Sequence, residues 1–425
     1  MAIRELKITG YRSFKDVTWK PGSLNLVVGP NGSGKSNLLQ FLDLISRAAK
    51  GELAKSIADA GGMVPLLWDH QPGSFGWSLS IDAPIQEKPE RTAAYHVLLQ
   101  QLGRGSAYQV DHDSCVFWNQ PGKGFHSSEN TGYERLHGEL RFRAFAEGGF
   151  SDVPPVEDYD ESESFLAATN SPTRTYLRAW RYHQEVQVGP GSAMRRPTTT
   201  QFVDRLEIGG GNLVPVLHTL YTGNRDFKTA IDDGMRAGFG DEYERLEFQP
   251  AAAQQVQLAV QWKSSTEPHA GQDLSDGTLR YLFLLTALAH PKPPPLVMIE
   301  EPDVGLHPSM LSIIAEFAAE AAERTQIVFT SHSPDFLDAF SGLSPTVTLC
   351  HWEDGQTQLY TLDAQRLEKW LERYRLGHLF TSGELENLAL PDVEPVEGEG
   401  RFEDLPPEDA AVLESAGGST DGENG

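Results

Sequence analysis

Residues 29–36 read GPNGSGKS and match in full the pattern G-x-x-x-x-G-K-[ST] of a loop that wraps the phosphates of a nucleotide. Its glycines let backbone N–H groups point closely at the phosphates, and the following helix adds the positive end of its dipole. We expect Lys35 to reach the β- and γ-phosphates and the Ser36 hydroxyl to bind Mg²⁺. The predicted cofactors are therefore ATP and Mg²⁺. The other predicted nucleotide-binding residues of this loop are Asn31, Gly32, Ser33, Gly34 and Asn37.

The segments on either side of the loop have the patterns of a strand and a helix. Residues 23–29, SLNLVVG, are an apolar run typical of a parallel strand that is buried on both faces. After the loop, apolar residues recur at a helical spacing that leaves one face for the core. The alternative is a chance match in a glycine-rich turn, and this strand–loop–helix context argues against it.

A second α/β pattern follows much later in the chain. Residues 295–300, PLVMIE, and residues 326–331, QIVFTS, are apolar strands, and a helical stripe from residue 310 to 321 lies between them. Such a strand–helix–strand unit forms a right-handed parallel crossover. Between residues 75 and 119, short alternating segments predict antiparallel strands.

The middle of the chain has weaker patterns. We expect a strand within residues 175–184, a helix that begins after Asn212 as its N-cap, and a helix over residues 225–247. Residues 120–175 have little periodicity and are predicted as loop with some helix.

Two carboxylates end the apolar strand PLVMIE. Catalytic groups of parallel sheets gather at the carboxyl ends of strands. We expect Glu300 to hold the Mg²⁺ shell through water and Glu301 to polarise the attacking water. An acidic pair at a surface turn is the alternative interpretation, and the phosphate loop in the same chain favours the catalytic one.

Two further motifs accompany this pair. Ser275, Asp276 and Gly277 precede an apolar helix, where a serine and a glycine can form an anion site at the helix N-terminus. The alternative is an ordinary helix cap. His332 ends the strand QIVFTS, where it is either a structural histidine or a sensor of the γ-phosphate that holds the attacking water.

Composition restricts the class of protein. The net charge of −25 gives no bulk attraction for nucleic acid, so DNA binding would need a local patch. The basic pairs Arg195–Arg196 and Arg178/Arg181 are interpreted as solvated arginines.

Two cysteines leave no disulfide framework, and no run of eighteen apolar residues exists, so we expect a cytoplasmic protein without a membrane partner. The last 35 residues hold eleven acids and one base, which predicts disorder.

The order of these motifs resembles that of the ABC-type ATPase heads of the SMC/RecF/OLD superfamily. The clear matches cover residues 1–48 and 270–338. Asp276 departs from the usual LSGG signature, as it does in RecF/OLD-like relatives, and Glu300 stands where aspartate is commoner. The resemblance implies an α/β head with a mixed or parallel sheet that carries the phosphate loop, an antiparallel β subdomain, a partly helical inserted arm and a disordered acidic tail. The implied segments are a first lobe at 1–119, an arm or lid at 120–245, a second lobe at 246–390 and the tail at 391–425.

The resemblance also implies a mechanism that needs two chains. Each ATP would lie between the loop of one chain and Ser275–Gly277 of the other, with Glu301, His332 and Lys35 as catalytic residues. Residues 8–16, ITGYRSFKD, resemble the opening strand of the superfamily, in which the residue matching Arg12 lies near the nucleotide. Gln71 is a candidate for the glutamine that contacts the metal.

Three classes of function stay open at this point. The first is a homodimeric ATPase switch in a DNA-related process such as antiphage defence, which controls a separate nuclease or toxin. The second is a RecF-like repair ATPase that binds DNA directly, and the third is a scaffold that binds ATP without hydrolysing it. The stretch after Asp338 is too short for a fused nuclease, so we expect the effector to be another polypeptide. A transporter subunit and an AAA+ remodeller fit the motifs less well.

Overall fold

The apolar runs of the sequence form strands and the helical stripes form helices in the computed structural model of the chain. The structure describes residues 1–70, 73–82, 92–103, 106–118, 131–136, 139–143, 160 and 162–389. Its strands are β1 Ile3–Tyr11, β2 Phe14–Trp19, β3 Leu24–Val28, β4 Ser74–Asp82, β5 Thr92–Gln101, β6 Tyr108–Trp118, β7 Thr131–Leu136, β8 Glu139–Arg143, β9 Arg181–His183, β10 Thr198–Thr199, β11 Tyr243–Ala251, β12 Gln255–Trp262, β13 His269–Ala270, β14 Leu296–Glu300, β15 Gln326–Ser331, β16 Thr346–Glu353 and β17 Gln356–Thr361. Its α-helices are α1 Lys35–Lys50, α2 Leu53–Asp59, α3 Pro172–Arg178, α4 Leu213–Gly223, α5 Arg225–Phe239, α6 Asp276–Leu288, α7 Pro308–Ala322, α8 Pro334–Asp338, α9 Ala364–Leu371, α10 Leu376–Thr381 and α11 Glu384–Ala389.

Within the described residues, the central sheet has six strands in the order β17–β16–β3–β15–β14–β9. The five strands from β16 to β9 pair in parallel, and β17 pairs with β16 in the antiparallel direction. Because the carboxyl ends of parallel strands lie at one edge of a sheet, the loop after β3 comes close to the ends of β14 and β15. The predicted strands around residues 23–29, 295–300 and 326–331 are thereby confirmed.

Both faces of the central sheet are covered by helices. Val27 of β3 belongs to the core that contains α1, whereas Leu26 and Val28 belong to the core that contains α6 and α7. This double burial explains why β3 is apolar without alternation. Burying one such side chain contributes about 1.5–3 kcal/mol of transfer free energy.

Antiparallel sheets complete the described part of the chain. One has seven strands in the order β2–β1–β4–β5–β6–β7–β8, and the other pairs β10, β12 and β11 with β13 beside β12. Tyr11 of β1 and Trp77 of β4 pack edge-on to Phe41 of α1, with ring centroids 4.6 and 5.8 Å apart. Helix α1 therefore lies between the central sheet and the seven-stranded sheet. A parallel central sheet with an antiparallel β subdomain is the predicted α/β arrangement, which is confirmed.

Three local predictions need correction or comment. The helix predicted over 225–247 ends at Phe239, because Gly240 takes a positive φ of 65° and β11 begins at Tyr243. The strand predicted within 175–184 is partly helix α3, and only its end forms β9. Asn212 does precede α4, but its side chain makes no capping bond and instead accepts a hydrogen bond from the Glu207 N–H at 2.8 Å.

The range 120–245, predicted as an arm, contributes strands to the sheets described above. Strands β7 and β8 extend the seven-stranded sheet, and β9 forms an edge of the central sheet. The predicted boundary between 245 and 246 falls inside β11. The division into lobes and arm stays a prediction, and the tail at 391–425 lies outside the described residues. Among the described residues, no helix combines the length and the apolar character needed to cross a bilayer.

Candidate nucleotide site

The phosphate loop connects β3 to α1 and is held in shape by its lysine. The Lys35 ammonium donates hydrogen bonds to the carbonyl oxygens of Gly29 and Pro30 at 2.7 and 2.9 Å. Burial lowers the pKa of Lys35, and the carboxylates of Glu301 and Glu300 oppose this decrease. The lysine is thus near the acidic strand end.

A buried threonine braces the loop from β17. Gly34 caps α1 with φ 104°, and a Cβ there would overlap the Thr357 side chain. The Thr357 hydroxyl donates to the Ser33 carbonyl at 2.9 Å, and the Thr357 N–H donates to the Ser13 carbonyl at 2.8 Å. Glycine is required at position 34 by both its backbone conformation and this close approach.

The predicted metal ligands meet in the structure. The Ser36 hydroxyl donates a hydrogen bond to Oε1 of Glu300, and the Tyr182 hydroxyl donates to Oε2 of the same carboxylate at 2.7 Å. Burial raises the pKa of Tyr182, and its bond to Glu300 adds to the increase, so the phenol stays protonated as a donor. A hydroxyl and a carboxylate oxygen are ligands that suit Mg²⁺, which takes its remaining ligands from water and phosphate.

The predicted catalytic pair is also in contact. Nδ1 of His332 lies 3.0 Å from Oε1 of Glu301, and the two side chains are 42% and 37% exposed. Glu301 adopts a φ of 44°, and its N–H donates to the Thr330 carbonyl at 3.1 Å. A left-handed conformation at a non-glycine residue costs on the order of 1 kcal/mol. Here it turns the chain after β14 so that the Glu301 carboxylate meets the strand-end histidine.

Next to this pair, Asp303 forms part of the same edge. The Ser331 hydroxyl donates to Oδ1 of Asp303 at 3.0 Å. Burial raises the pKa of Asp303, and Glu301 contributes to the increase. Asp303 was missed in the sequence because its partner belongs to another strand.

The signature residues Ser275–Gly277 lie at the start of α6 and not in the phosphate loop or at the acidic strand end. The Ser275 hydroxyl accepts a hydrogen bond from the Thr278 N–H at 3.0 Å, which makes it the helix N-cap. A Cβ on Gly277 would lie 2.7 Å from the Gly305 carbonyl, so α6 packs closely on the turn after the acidic pair. Within the part of the chain that the structure describes, no hydrogen bond connects Ser275–Gly277 to the phosphate loop.

Arg195 holds the segment that leads into α6. Its guanidinium donates to the carbonyl oxygens of Gly271 at 3.3 Å and Leu274 at 2.6 Å, and it pairs with the Asp276 carboxylate. The side chain is only 10% exposed. The interpretation of Arg195 as a solvated arginine was therefore wrong, whereas its neighbour Arg196 is exposed.

Arg12 contacts the first turns of α1. It donates hydrogen bonds to Oδ1 of Asn37 at 3.3 Å and to Oε1 of Gln40, and its backbone has φ 46°. The amide nitrogen of Asn37 donates to the Ser13 hydroxyl at 2.8 Å, so Asn37 contacts the turn between β1 and β2. The candidate Gln71 lies outside the described residues.

Of the predicted site residues, the structure brings together Lys35, Ser36, Glu300, Glu301 and His332. Asn31 and Gly32 lie exposed in the loop, and Ser33 is buried under it. The roles of all these residues stay predictions. Thr357 and Tyr182, which sequence reasoning missed, fix the loop and the acidic strand end.

Family models match both ends of this site. A model described as "AAA ATPase domain" matches residues 1–65, and a model described as "AAA domain, putative AbiEii toxin, Type IV TA system" matches residues 244–338. A comparison with curated proteins finds no match.

Solved structures of SMC heads are similar to this chain. The Smc head bound to the C-winged helix domain of ScpA has a TM-score of 0.52 and 15% identity, over 87% of this chain and 100% of that one. The SMC head domain from Thermotoga maritima has a TM-score of 0.42 and 15% identity, over 85% and 100% of the two chains. An Smc head domain with an extended coiled coil, bound to the C-terminal domain of ScpA derived from Pyrococcus furiosus, has a TM-score of 0.49 and 13% identity, over 87% and 98%. The first likeness shows a shared fold.

The chain has the fold of an SMC head, which is an ABC-type ATPase fold, and its phosphate loop lies in the segment that matches an ATPase domain model. The matched segments cover the phosphate loop at one end and the acidic strand and the histidine at the other, as the resemblance to the SMC/RecF/OLD type implies.

Proposed function

We propose that the protein hydrolyses ATP as an ATP-gated homodimer. The observation that carries this proposal is the separation of the site: Glu301, in contact with His332, acts on the charge of Lys35 in the phosphate loop, whereas the exposed Ser275 makes no bond to that loop within the described residues. A serine hydroxyl can accept one hydrogen bond and still donate another. Ser275 can therefore cap α6 and donate to a phosphate held by a second chain.

Each residue then has a defined task. Lys35 and the loop N–H groups bind and orient the phosphates, and Ser36 and Glu300 would hold Mg²⁺, which supplies positive charge to the phosphate oxygens. Glu301 orients the attacking water and accepts its proton, and His332 fixes the Glu301 carboxylate. The second chain contacts the γ-phosphate, so loss of the γ-phosphate weakens the dimer. Hydrolysis therefore allows the two chains to separate.

For the role of the switch, we propose a DNA-related process such as antiphage defence, with a separate nuclease or toxin as effector. The model that matches residues 244–338 names a toxin and a toxin–antitoxin system in its description, and the Smc head carries ScpA as a partner protein. Both facts concern those proteins and support only the idea that this head controls another polypeptide. We place the protein in the cytoplasm.

The test is Glu301→Gln, examined with ATP and Mg²⁺ by mass measurement in solution and by ATP turnover. We expect turnover to fall at least about a hundredfold, because general-base catalysis contributes that much, and the ATP-bound dimer to persist. Glu316→Gln on the exposed face of α7 is the matched control and should behave like the wild type. Ser275→Arg should block both dimer and turnover, since the larger side chain fills the position of the phosphate. Wild-type turnover by Glu301→Gln would contradict the assignment.

A RecF-like ATPase that binds DNA directly is the second candidate, and a non-hydrolysing scaffold is the third. Binding to duplex DNA at two salt concentrations separates the first two, because phosphate contacts give a steep loss of affinity with salt. No binding at low salt excludes direct engagement of DNA. Measurable wild-type turnover excludes the scaffold.

A further inference from the structure

A basic cavity of about 110 Å³ lies beside β9, near the start of β14. Its polar lining consists of Arg181, His183, Arg205, His290 and Lys292, and none of the described residues that line it is acidic. In a chain whose net charge is −25, the grouping of two arginines and a lysine around one cavity, without a carboxylate in its lining, needs an explanation.

The two arginines and the lysine of the cavity have hydrogen-bond donors that no described residue uses. One guanidinium nitrogen of Arg181 donates to the carbonyl oxygens of Ala179 at 3.3 Å and Trp180 at 2.9 Å, which fixes the direction of the side chain. Its other donors, and the side chains of Arg205 and Lys292, make no hydrogen bond or ion pair with described residues. Burial lowers the pKa of Arg181, and Arg205 adds to the decrease, so the two guanidinium groups repel each other.

A buried histidine supplies an independent observation. His183 is 2% exposed, and its Nδ1 has no hydrogen-bond partner among the described residues. Burial lowers the pKa of His183 to about 4, so the ring is neutral at pH 7. A buried polar atom without a partner destabilises the fold, and a ligand that bonds to it removes that cost. His290 differs, because its Nδ1 accepts from the Lys292 N–H at 3.0 Å and its other nitrogen contacts the Asp204 carbonyl.

We propose that this cavity binds a phosphoryl group, as orthophosphate or as the end of a small phosphomonoester, through Arg181, Arg205 and Lys292, with His183 as a further partner. Arginine forks match the oxygens of phosphate, and a dianion neutralises three cations better than a carboxylate does. The volume holds several water molecules or one tetrahedral oxyanion, but it is below the size of a whole-nucleotide pocket.

The cavity is distinct from the nucleotide site. Successive side chains of a strand point to opposite faces, so Arg181 and His183 share one face of β9 and Tyr182 takes the other. Tyr182 donates to Glu300 of the nucleotide site, as described above. The proposal goes beyond the proposed function and does not depend on ATP hydrolysis or on a dimer.

Calorimetric titration of the full chain tests the proposal. Since the phosphate loop also binds anions, the titrations are done in a Lys35→Ala background with orthophosphate, glycerol 3-phosphate and acetate at matched ionic strength. We expect saturable binding of a phosphate compound and none of acetate. Tighter binding of glycerol 3-phosphate identifies an ester as the ligand, and binding of orthophosphate alone identifies the free ion.

Arginine variants then locate the binding. Arg205→Gln and Arg181→Gln should each weaken it about tenfold or more, because each removes a charge-assisted hydrogen bond. Arg225→Gln, at an exposed arginine that begins α5, is the matched control and should leave it unchanged. Arg205 is exposed, so its variant decides the matter even if Arg181→Gln misfolds. The proposal is overturned by absence of binding in the Lys35→Ala background, by equal binding of acetate, or by full affinity in Arg205→Gln.

Discussion

Glu300 shows how much of the site depends on single contacts from distant residues. Its two carboxylate oxygens accept hydrogen bonds from Ser36 on α1 and from Tyr182 on β9. Ser36 could be recognised from the loop motif, because the motif specifies a metal-binding hydroxyl. Tyr182 could not, since it lies 118 positions before Glu300 and only the pairing of β9 with β14 brings it close.

Replacing Tyr182 with phenylalanine tests this contact. The ring still fills its buried position, but Glu300 loses the donor that orients its second oxygen. Since partners of this kind typically change metal affinity tenfold or more, we expect the Mg²⁺ concentration for half-maximal ATP turnover to rise about tenfold. Tyr360→Phe is the matched control, because Tyr360 donates to Glu353 at 3.0 Å on the exposed hairpin of β16 and β17. An unchanged Mg²⁺ dependence in Tyr182→Phe would show that Ser36 alone orients the carboxylate.

His183 makes stability depend on pH. Its pKa is lowered by burial to about 4, below the ordinary value of 6.5, so the unfolded chain binds a proton that the folded chain does not. This contribution to stability is fully present above pH 6.5 and is lost as the pH falls towards 4. We expect acidification from pH 7 to about pH 4 to lower the free energy of unfolding by up to about 3 kcal/mol through this histidine. Urea unfolding of the wild type and of His183→Leu at pH 7 and pH 4.5 measures how much free energy of unfolding each protein loses on acidification. An equal loss in the two proteins would contradict the assignment to His183.

At the scale of elements, Arg195 ends a one-turn 3-10 helix, Ala193–Arg195, and connects it to the start of α6. The side chain binds the carbonyl oxygens before Ser275 and the carboxylate after it, so it fixes the direction in which α6 presents its N-terminus. A run of two arginines in a sequence does not reveal this, because Arg195 is enclosed only once residues 188–189 and 271–276 have come together.

Arg195→Gln should weaken the ATP-dependent dimer without affecting ATP binding by a single chain. We expect about a tenfold weaker dimer in the Glu301→Gln background, because the loss of one charge-assisted network loosens the signature segment. Arg196→Gln is the matched control, since Arg196 is adjacent but exposed. Sedimentation with ATP measures the dimer, and fluorescence titration measures nucleotide binding. Loss of nucleotide binding in Arg195→Gln would instead indicate a role in the fold.

Helices and strands could be predicted from the sequence where their pattern is local, and not where they depend on distant residues. The strands and the helix around the phosphate loop could be predicted because full burial leaves apolar runs and helical stripes with few interruptions. The helix predicted over 225–247 failed at Gly240, where the backbone takes a positive φ and the following residues pair with β12. The strand predicted within residues 175–184 was too long, because the chain up to Arg178 forms helix α3 and only Arg181–His183 form β9, through a non-local pairing with β14.

At the scale of the whole molecule, the net charge of −25 bears directly on dimerisation. Two copies of such a chain repel each other, so the dimer proposed above needs attraction from local contacts, which in that proposal lie across the nucleotide. The repulsion acts over several ångströms of solvent and is screened by salt, with a Debye length of about 10 Å at 0.1 M. Contacts within a closed site are screened much less.

The ATP-bound dimer of Glu301→Gln should therefore become tighter as salt rises from about 0.05 to about 0.3 M, because screening removes repulsion faster than it weakens enclosed contacts. A chain that ends at residue 390 carries a net charge of −15 and should show a smaller dependence on salt. Sedimentation equilibrium at the two salt concentrations measures both. DNA binding has the opposite sign, since salt weakens contacts to phosphates. A dimer that weakens with salt would mean that exposed ion pairs, and not the nucleotide, hold the two heads together.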